Sequence, residues 1–202
     1  MSYVSLALAA MATLVLQAPA AHATPITFSG NLSGANEVPP VVTPGTGVAT
    51  VILDPTAQTI QINATFSGLT SNDTMAHIHC CAPLGTNVGV ATTVPAFPGF
   101  PLGVTSGTYS SAVFDLTQPT IYNPAFVTLE GGLPQAEAAL IAGIEAGQSY
   151  FNIHTLNNPG NNPGGEIRSQ LFPVAAPEPT SLALLSSGLL GVVLTWRRKR
   201  AG

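Results

Sequence analysis

Apolar and polar residues alternate with a period of two through most of the middle of the chain. Ile26, Phe28 and Leu32 start the first such run, and Val48 to Leu53 make a second that Asp54-Pro55 ends. Ile60, Ile62, Ala64 and Phe66 alternate across a third, which Gly68 stops. Met75 to His79 is a fourth, and Tyr109 to Leu116 a fifth, with Tyr109, Val113 and Phe114 expected to face the core. Tyr150 to Thr155 and Glu166 to Phe172 complete the set. A period of two is that of a half-buried strand. Residues 82–107 hold many Gly, Pro and Thr but no long periodic run, and read as a long loop with short pairings. Leu133 to Ala146 is the one helical pattern: Leu140, Ile141 and Ile144 give its apolar side and Gly147 its stop. Short strands at this spacing predict an all-β sandwich or barrel with one short helix.

Two stretches break the alternation because they are apolar throughout. Val4 to Leu16, followed by Ala21-His22-Ala23, fits the core and the small-x-small cleavage site of a signal peptide over residues 1–23, although no Lys or Arg precedes the apolar run. Thr180 to Trp196 is an apolar stretch of 17 residues, at the short limit for a spanning helix. Trp196 then belongs at the membrane interface and the basic residues 197–202 in a cytoplasmic tail. Between these ends lies one domain, residues 24–173, with residues 174–179 as a linker. Pro177, Glu178 and Pro179, the apolar stretch and the basic cluster, in that order at the end of the chain, resemble the PEP-CTERM sorting signal of bacterial exported proteins. The resemblance implies an exosortase-type membrane protease as partner and an inner-membrane-anchored precursor. The product is then expected at the cell surface or outside a Gram-negative bacterium that makes exopolysaccharide.

Charge narrows the function. Only 7% of residues are charged, and four of the five basic residues are Arg197, Arg198, Lys199 and Arg200. The domain sets Arg168 alone against eight carboxylates, a formal charge of −7. So few cations cannot neutralise phosphates, which excludes nucleic-acid binding. The mature domain has three histidines, His77, His79 and His154. His77 and His79 lie two apart on a strand, so both rings point to one face. If the strand of His154 is a neighbour, three imidazoles converge. Neutral imidazole is a donor to Zn or Cu, and three His with an open position is a catalytic metal geometry. Two other readings stand beside it, a hydrogen-bonded histidine cluster and an acid–base role. A His-x-His strand also begins the site of copper–zinc superoxide dismutases, but those need more histidines than this domain has.

Cys80 and Cys81 are the only cysteines. They could form a vicinal disulfide in an oxidising compartment, stay reduced, or lend the Cys80 thiolate to the histidines as a soft ligand. The last option needs a turn at Cys80, since successive strand residues face opposite ways. Arg168 is expected to pair with Glu37 or Glu166 and so tie the first and last segments of the domain together. Thr-, Asn- and Gly-rich loops and the aromatics Phe97, Phe100, Tyr109 and Tyr122 could face a surface ligand, though such aromatics also serve as packing.

Four segments together resemble the CHRD domain: Leu32-Ser33-Gly34-Ala35-Asn36-Glu37-Val38-Pro39-Pro40, Ala76-His77-Ile78-His79, Tyr150-Phe151-Asn152-Ile153-His154-Thr155, and Pro163-Gly164-Gly165-Glu166-Ile167-Arg168-Ser169-Gln170-Leu171. The resemblance spans about residues 26–172 and implies an immunoglobulin-like or superoxide-dismutase-like β-sandwich, with no settled molecular function. Cys80-Cys81 departs from it, since small or Gly-like residues commonly follow the HIH. The expectation is a non-catalytic exported surface or extracellular-matrix module, either binding exopolysaccharide, a surface protein or a metal, or purely structural with no specific ligand. The alternative is a mononuclear metal protein or metalloenzyme built on the three histidines.

Overall fold

A computed structural model describes residues 24–157 and 165–175. The expected signal peptide, the Pro177-Glu178-Pro179 motif and the expected membrane helix at 180–196 lie outside the described residues. Among the described residues no helix is long and apolar enough to cross a membrane.

The alternating runs form strands: β1 (Ile26–Ser33), β2 (Thr46–Asp54), β3 (Thr59–Ser67), β4 (Asp73–His79), β5 (Gly107–Ser110), β6 (Phe114–Asp115), β7 (Tyr150–Thr155), β8 (Ile167–Gln170) and β9 (Phe172–Pro173). The strand order is β4-β7-β8-β1-β2-β3-β5, with β6 beside β3 and β9 beside β1. The pairs are antiparallel. The sheet curls on itself, sandwich-like. Phe66 of β3 and Phe151 of β7, from opposite halves of the sheet, both meet Phe100, at centroid distances of 5.6 and 6.2 Å. Phe28, Val51, Leu53, Ile60, Ile62, Ile78, Ile153 and Ile167 fill the interior.

The expected strand over Tyr109 to Leu116 is split. Ser111 leaves the ladder to bond Ile62 instead: its N–H donates to the Ile62 carbonyl and its Oγ accepts from the Ile62 N–H, each at 2.9 Å. This break turns Val113 outward, where it is 62% exposed against the expectation of a core position, and Leu116 takes the buried place.

The predicted helix is α2 (Leu133–Glu145), with Ala136, Leu140 and Ile144 buried. A shorter helix, α1 (Pro124–Glu130), precedes it. Its signals are local: Asn123 caps the Ala125 N–H at 3.0 Å, Pro124 opens the first turn, and Gly131 closes it at φ 90°. The long loop 82–107 buries Ala91, Phe97 and Phe100 in the core. It also runs along β4: the Ala76 N–H donates to Pro95 at 3.0 Å, and the Ala91 and Thr92 N–H groups donate to Ile78 at 2.9 and 3.2 Å.

Cys80 and Cys81 are joined to each other as a disulfide, directly after β4. It seats against α2 where Gly143 lacks a side chain: a Cβ there would collide with both sulfurs. Gly143→Ala is therefore expected to destabilise the domain by about 1–3 kcal/mol, the usual cost of overpacking. A lowered urea midpoint at constant slope reads this directly. An unchanged midpoint would mean that α2 shifts away freely.

Candidate metal centre

The site is a consequence of strand register. In the β4–β7 ladder His77 lies opposite Asn152, His79 opposite Tyr150, and Met75 opposite His154. Ala76, Ile78, Phe151 and Ile153 point the other way into the core and are fully buried. A slip of one residue would expose that apolar set, so the core holds the register, and with it the face on which the histidines stand. His154 sits diagonally across from His77. Ring centroids are 4.8 Å apart for His77–His79 and His77–His154, and 6.0 Å for His79–His154. One nitrogen from each ring lies within 4.8 Å of the others.

His77, His79 and His154 are 1%, 6% and 8% exposed, and this burial decides their charge. Burial lowers His77 to about 2, helped by the neighbouring His79 and His154. Burial lowers His79 to about 4, opposed by its bond to Val88 and assisted by the positive charge of Arg168. Burial and then His79 lower His154 to about 4. All three are neutral at pH 7, so an acid–base role at neutral pH is poorly served. His79 Nδ1 is 2.7 Å from the Val88 carbonyl; a carbonyl only accepts, so Nδ1 carries the proton and Nε2 the lone pair. His79 Nε2, His77 Nδ1 and His154 Nε2 are buried with no hydrogen-bond partner. A purely hydrogen-bonded cluster leaves those three atoms unexplained.

Cys80 does not join the histidines. Its Sγ is in the disulfide and approaches the Ala139 carbonyl of α2 at 3.7 Å, so the thiolate-ligand expectation is corrected. Strand alternation is the reason: Cys80 follows His79 and faces the opposite way.

The expected ion pair takes another form. Arg168, the largest fully buried side chain, donates from Nε to the Asn36 carbonyl at 2.6 Å and from Nη1 to Asn87 Oδ1 at 2.8 Å. Its guanidinium carbon sits 4.3 Å from the Tyr150 ring centroid. Glu37 lies within its electrostatic reach, but neither carboxylate oxygen nor Arg168 Nη2 has a hydrogen-bond partner. Burial raises Glu37 to about 8, with Arg168 pulling it down. Glu166 accepts instead from Thr43 Oγ1 (2.5 Å), Thr70 N–H (2.8 Å), Thr70 Oγ1 (2.9 Å) and Thr155 Oγ1 (2.6 Å). Expecting it to pair with Arg168 overlooked how many hydroxyls converge there. Gly165, at φ 121°, lets the chain pass Asn152, whose side chain a Cβ would strike.

Sequence reasoning missed Tyr150, whose ring stacks on His79 at 4.5 Å and 10°. Its spacing of four from His154 along one strand was the available signal. Val88 carries no signal, because a backbone carbonyl leaves none. Phe97, Phe100, Tyr109 and Tyr122 are all buried, which corrects their reading as a ligand-facing surface.

The shifted groups give the metal-free protein a defined pH profile. Unfolded imidazoles titrate near 6.5 and folded ones near 4 or below, so between those values the unfolded state binds more protons and stability rises with pH. Glu37 acts oppositely: it keeps its proton in the fold up to about 8 but loses it near 4.5 when unfolded, so stability falls as pH rises through that window. Each unmatched proton is worth about 1.4 kcal/mol per pH unit. Chelator-treated protein is expected to be most stable near pH 6.5, measured by urea melts from pH 4 to 8. Glu37→Gln flattens the alkaline limb, and glutamines at the three histidines remove the rising acid limb, leaving stability to fall from about pH 4.5 onward through Glu37.

Family comparisons agree with this motif pattern. Residues 28–171 match the CHRD domain, and residues 175–199 match the PEP-CTERM protein-sorting motif. Neither a curated protein nor a solved structure matches the chain significantly. The sorting motif implies exosortase-dependent sorting to the cell surface, by way of a membrane-anchored precursor in a Gram-negative bacterium. The chain belongs to the CHRD domain family and carries a PEP-CTERM sorting motif behind that domain.

Proposed function

We propose that the CHRD domain of this chain is a mononuclear metal-binding module, with His77, His79 and His154 holding one ion of the zinc or copper class. Residues 1–23 serve as its signal peptide, residues 180–196 as its membrane helix until an exosortase-type protease removes it, and the cell surface as its destination. Two observations carry the reading together: one nitrogen from each of the three buried, neutral rings lies within 4.8 Å of the others, and each ring has a buried nitrogen without a hydrogen-bond partner. A buried polar atom without a partner costs about 1–3 kcal/mol, and one ion would serve all three. Bonds of about 2.1 Å need nitrogens about 3.4 Å apart in a tetrahedral site, so the rings draw in on binding. Three ligands leave one coordination position for solvent or a small ligand. A polysaccharide-binding reading has less support, because the aromatics expected to present such a surface are in the core.

The test is elemental analysis of the exported protein, purified without a polyhistidine tag. Near one metal ion per chain is expected, with none in His77→Ala/His79→Ala. Added Zn at a hundred times its dissociation constant should stabilise the wild type by about 2.7 kcal/mol and leave the double variant unmoved. Wild type that stays empty after exposure to both Zn and Cu sinks the reading.

A further inference from the structure

We infer that Arg168 and Asn87 are positioning residues for the centre: together with the Tyr150 hydroxyl they fix the Val88 carbonyl, and that carbonyl turns His79 so that Nε2 faces His77 and His154. As a statement about metal binding this rests on the three-histidine reading; as a statement about the His79 ring it stands alone.

The chain of contacts is continuous. Arg168 is anchored by Nε to the Asn36 carbonyl and reaches Asn87 Oδ1 with Nη1. Asn87 Nδ2 donates to the Val38 carbonyl at 2.7 Å, so its side chain is clamped from both ends. The next residue is Val88. Its N–H donates to the Tyr150 hydroxyl at 3.3 Å, and that hydroxyl donates to the Val88 carbonyl at 3.2 Å. The same carbonyl accepts from His79 Nδ1. Tyr150 lies on the middle one of three neighbouring strands, with its ring against His79 from β4 and Arg168 from β8. The guanidinium thus acts on His79 by two routes, a hydrogen-bonded loop and a stacked ring.

The chemistry follows from tautomers. A neutral imidazole has one N–H and one lone pair, and the acceptor placed at one nitrogen selects which nitrogen can ligate. Outer partners of this kind typically alter metal affinity 10–100-fold. The segment holding Val88 contains no strand of its own; on its C-terminal side it is tied to β4 by the Cys80 N–H bond to the Gly89 carbonyl at 3.3 Å and the Val90–His79 bridge, and on its N-terminal side the Asn87 clamp holds it. This gives the domain's sole cation a role beyond joining the first and last segments. Its Nη1 bond to Asn87 is a contact that such joining does not need.

The test compares the full chain with Asn87→Ala and Tyr150→Phe, both of which leave Arg168 in the core. Nitrogen-15 NMR of metal-free protein reads the His79 tautomer, and titration with Zn reads affinity and stoichiometry. The expected result is a wild-type His79 protonated at Nδ1, a mixed tautomer in both variants, and Zn affinity lowered 10–100-fold with one site retained. His79 signals identical to wild type in both variants would overturn the inference. If the wild type takes up no Zn, the metal reading fails, and the tautomer comparison still decides the positioning role. If affinity falls while the tautomer is unchanged, the clamp is structural only, and the inference is likewise overturned.

Discussion

Everything at the candidate centre depends on the pairing of β4 with β7. That ladder has an apolar face and a polar face, and the hydrophobic drive to bury Ala76, Ile78, Phe151 and Ile153 selects one register. The polar face is then determined, because side chains alternate without exception along a regular strand. Three imidazoles are brought together by residues that face the other side of the sheet. The burial that makes them neutral comes from the same source, since the loops closing over this face are tied to the strands behind it.

The scarcity of charge shapes the rest of the interior. With one cation in the domain, buried carboxylates must find other partners. Glu166 finds three threonines and a backbone N–H drawn from the segments around residues 43, 70 and 155, and joins them as a salt bridge would. Arg168 in turn is satisfied mainly by a carbonyl, an amide and an aromatic ring. Hydroxyls and amides do in this protein what ion pairs do in more highly charged ones, and the two conspicuous charges of the last motif serve separate hubs.

How much of this was legible follows from which interactions leave a periodic trace. Strand positions did, because the period of two appears directly in residues such as Ile60, Ile62, Ala64 and Phe66. The histidine trio did as well, since His77 and His79 share a strand face and the Phe-Asn-Ile-His setting marks His154 as a strand residue. Ser111 did not: a serine that swaps its side chain into a ladder looks like any other polar strand residue, so the break before Val113 was hidden. Asn87 and Val88 sit in a loop whose sequence is ordinary, and their role depends on contacts with Val38, Tyr150 and Arg168 that are far away along the chain. The packing of Cys80-Cys81 on Gly143 was equally silent, because glycine inside a helix shows no sign of what presses against it.

The loop running along β4 has a consequence for the company of neighbouring chains. β4 ends the order of strands, and a bare terminal strand offers a row of unpaired amides and carbonyls to any neighbouring chain. Residues 90–96 cover that row, with one bridge from Val90 to His79, another from Ala96 to Ala76, and bonds at Ile78. At the other end of the strand order stands β5, four residues long and opening on a glycine. One margin is sealed and the other too short to template a partner, so copies packed side by side have little means of zipping into a shared sheet.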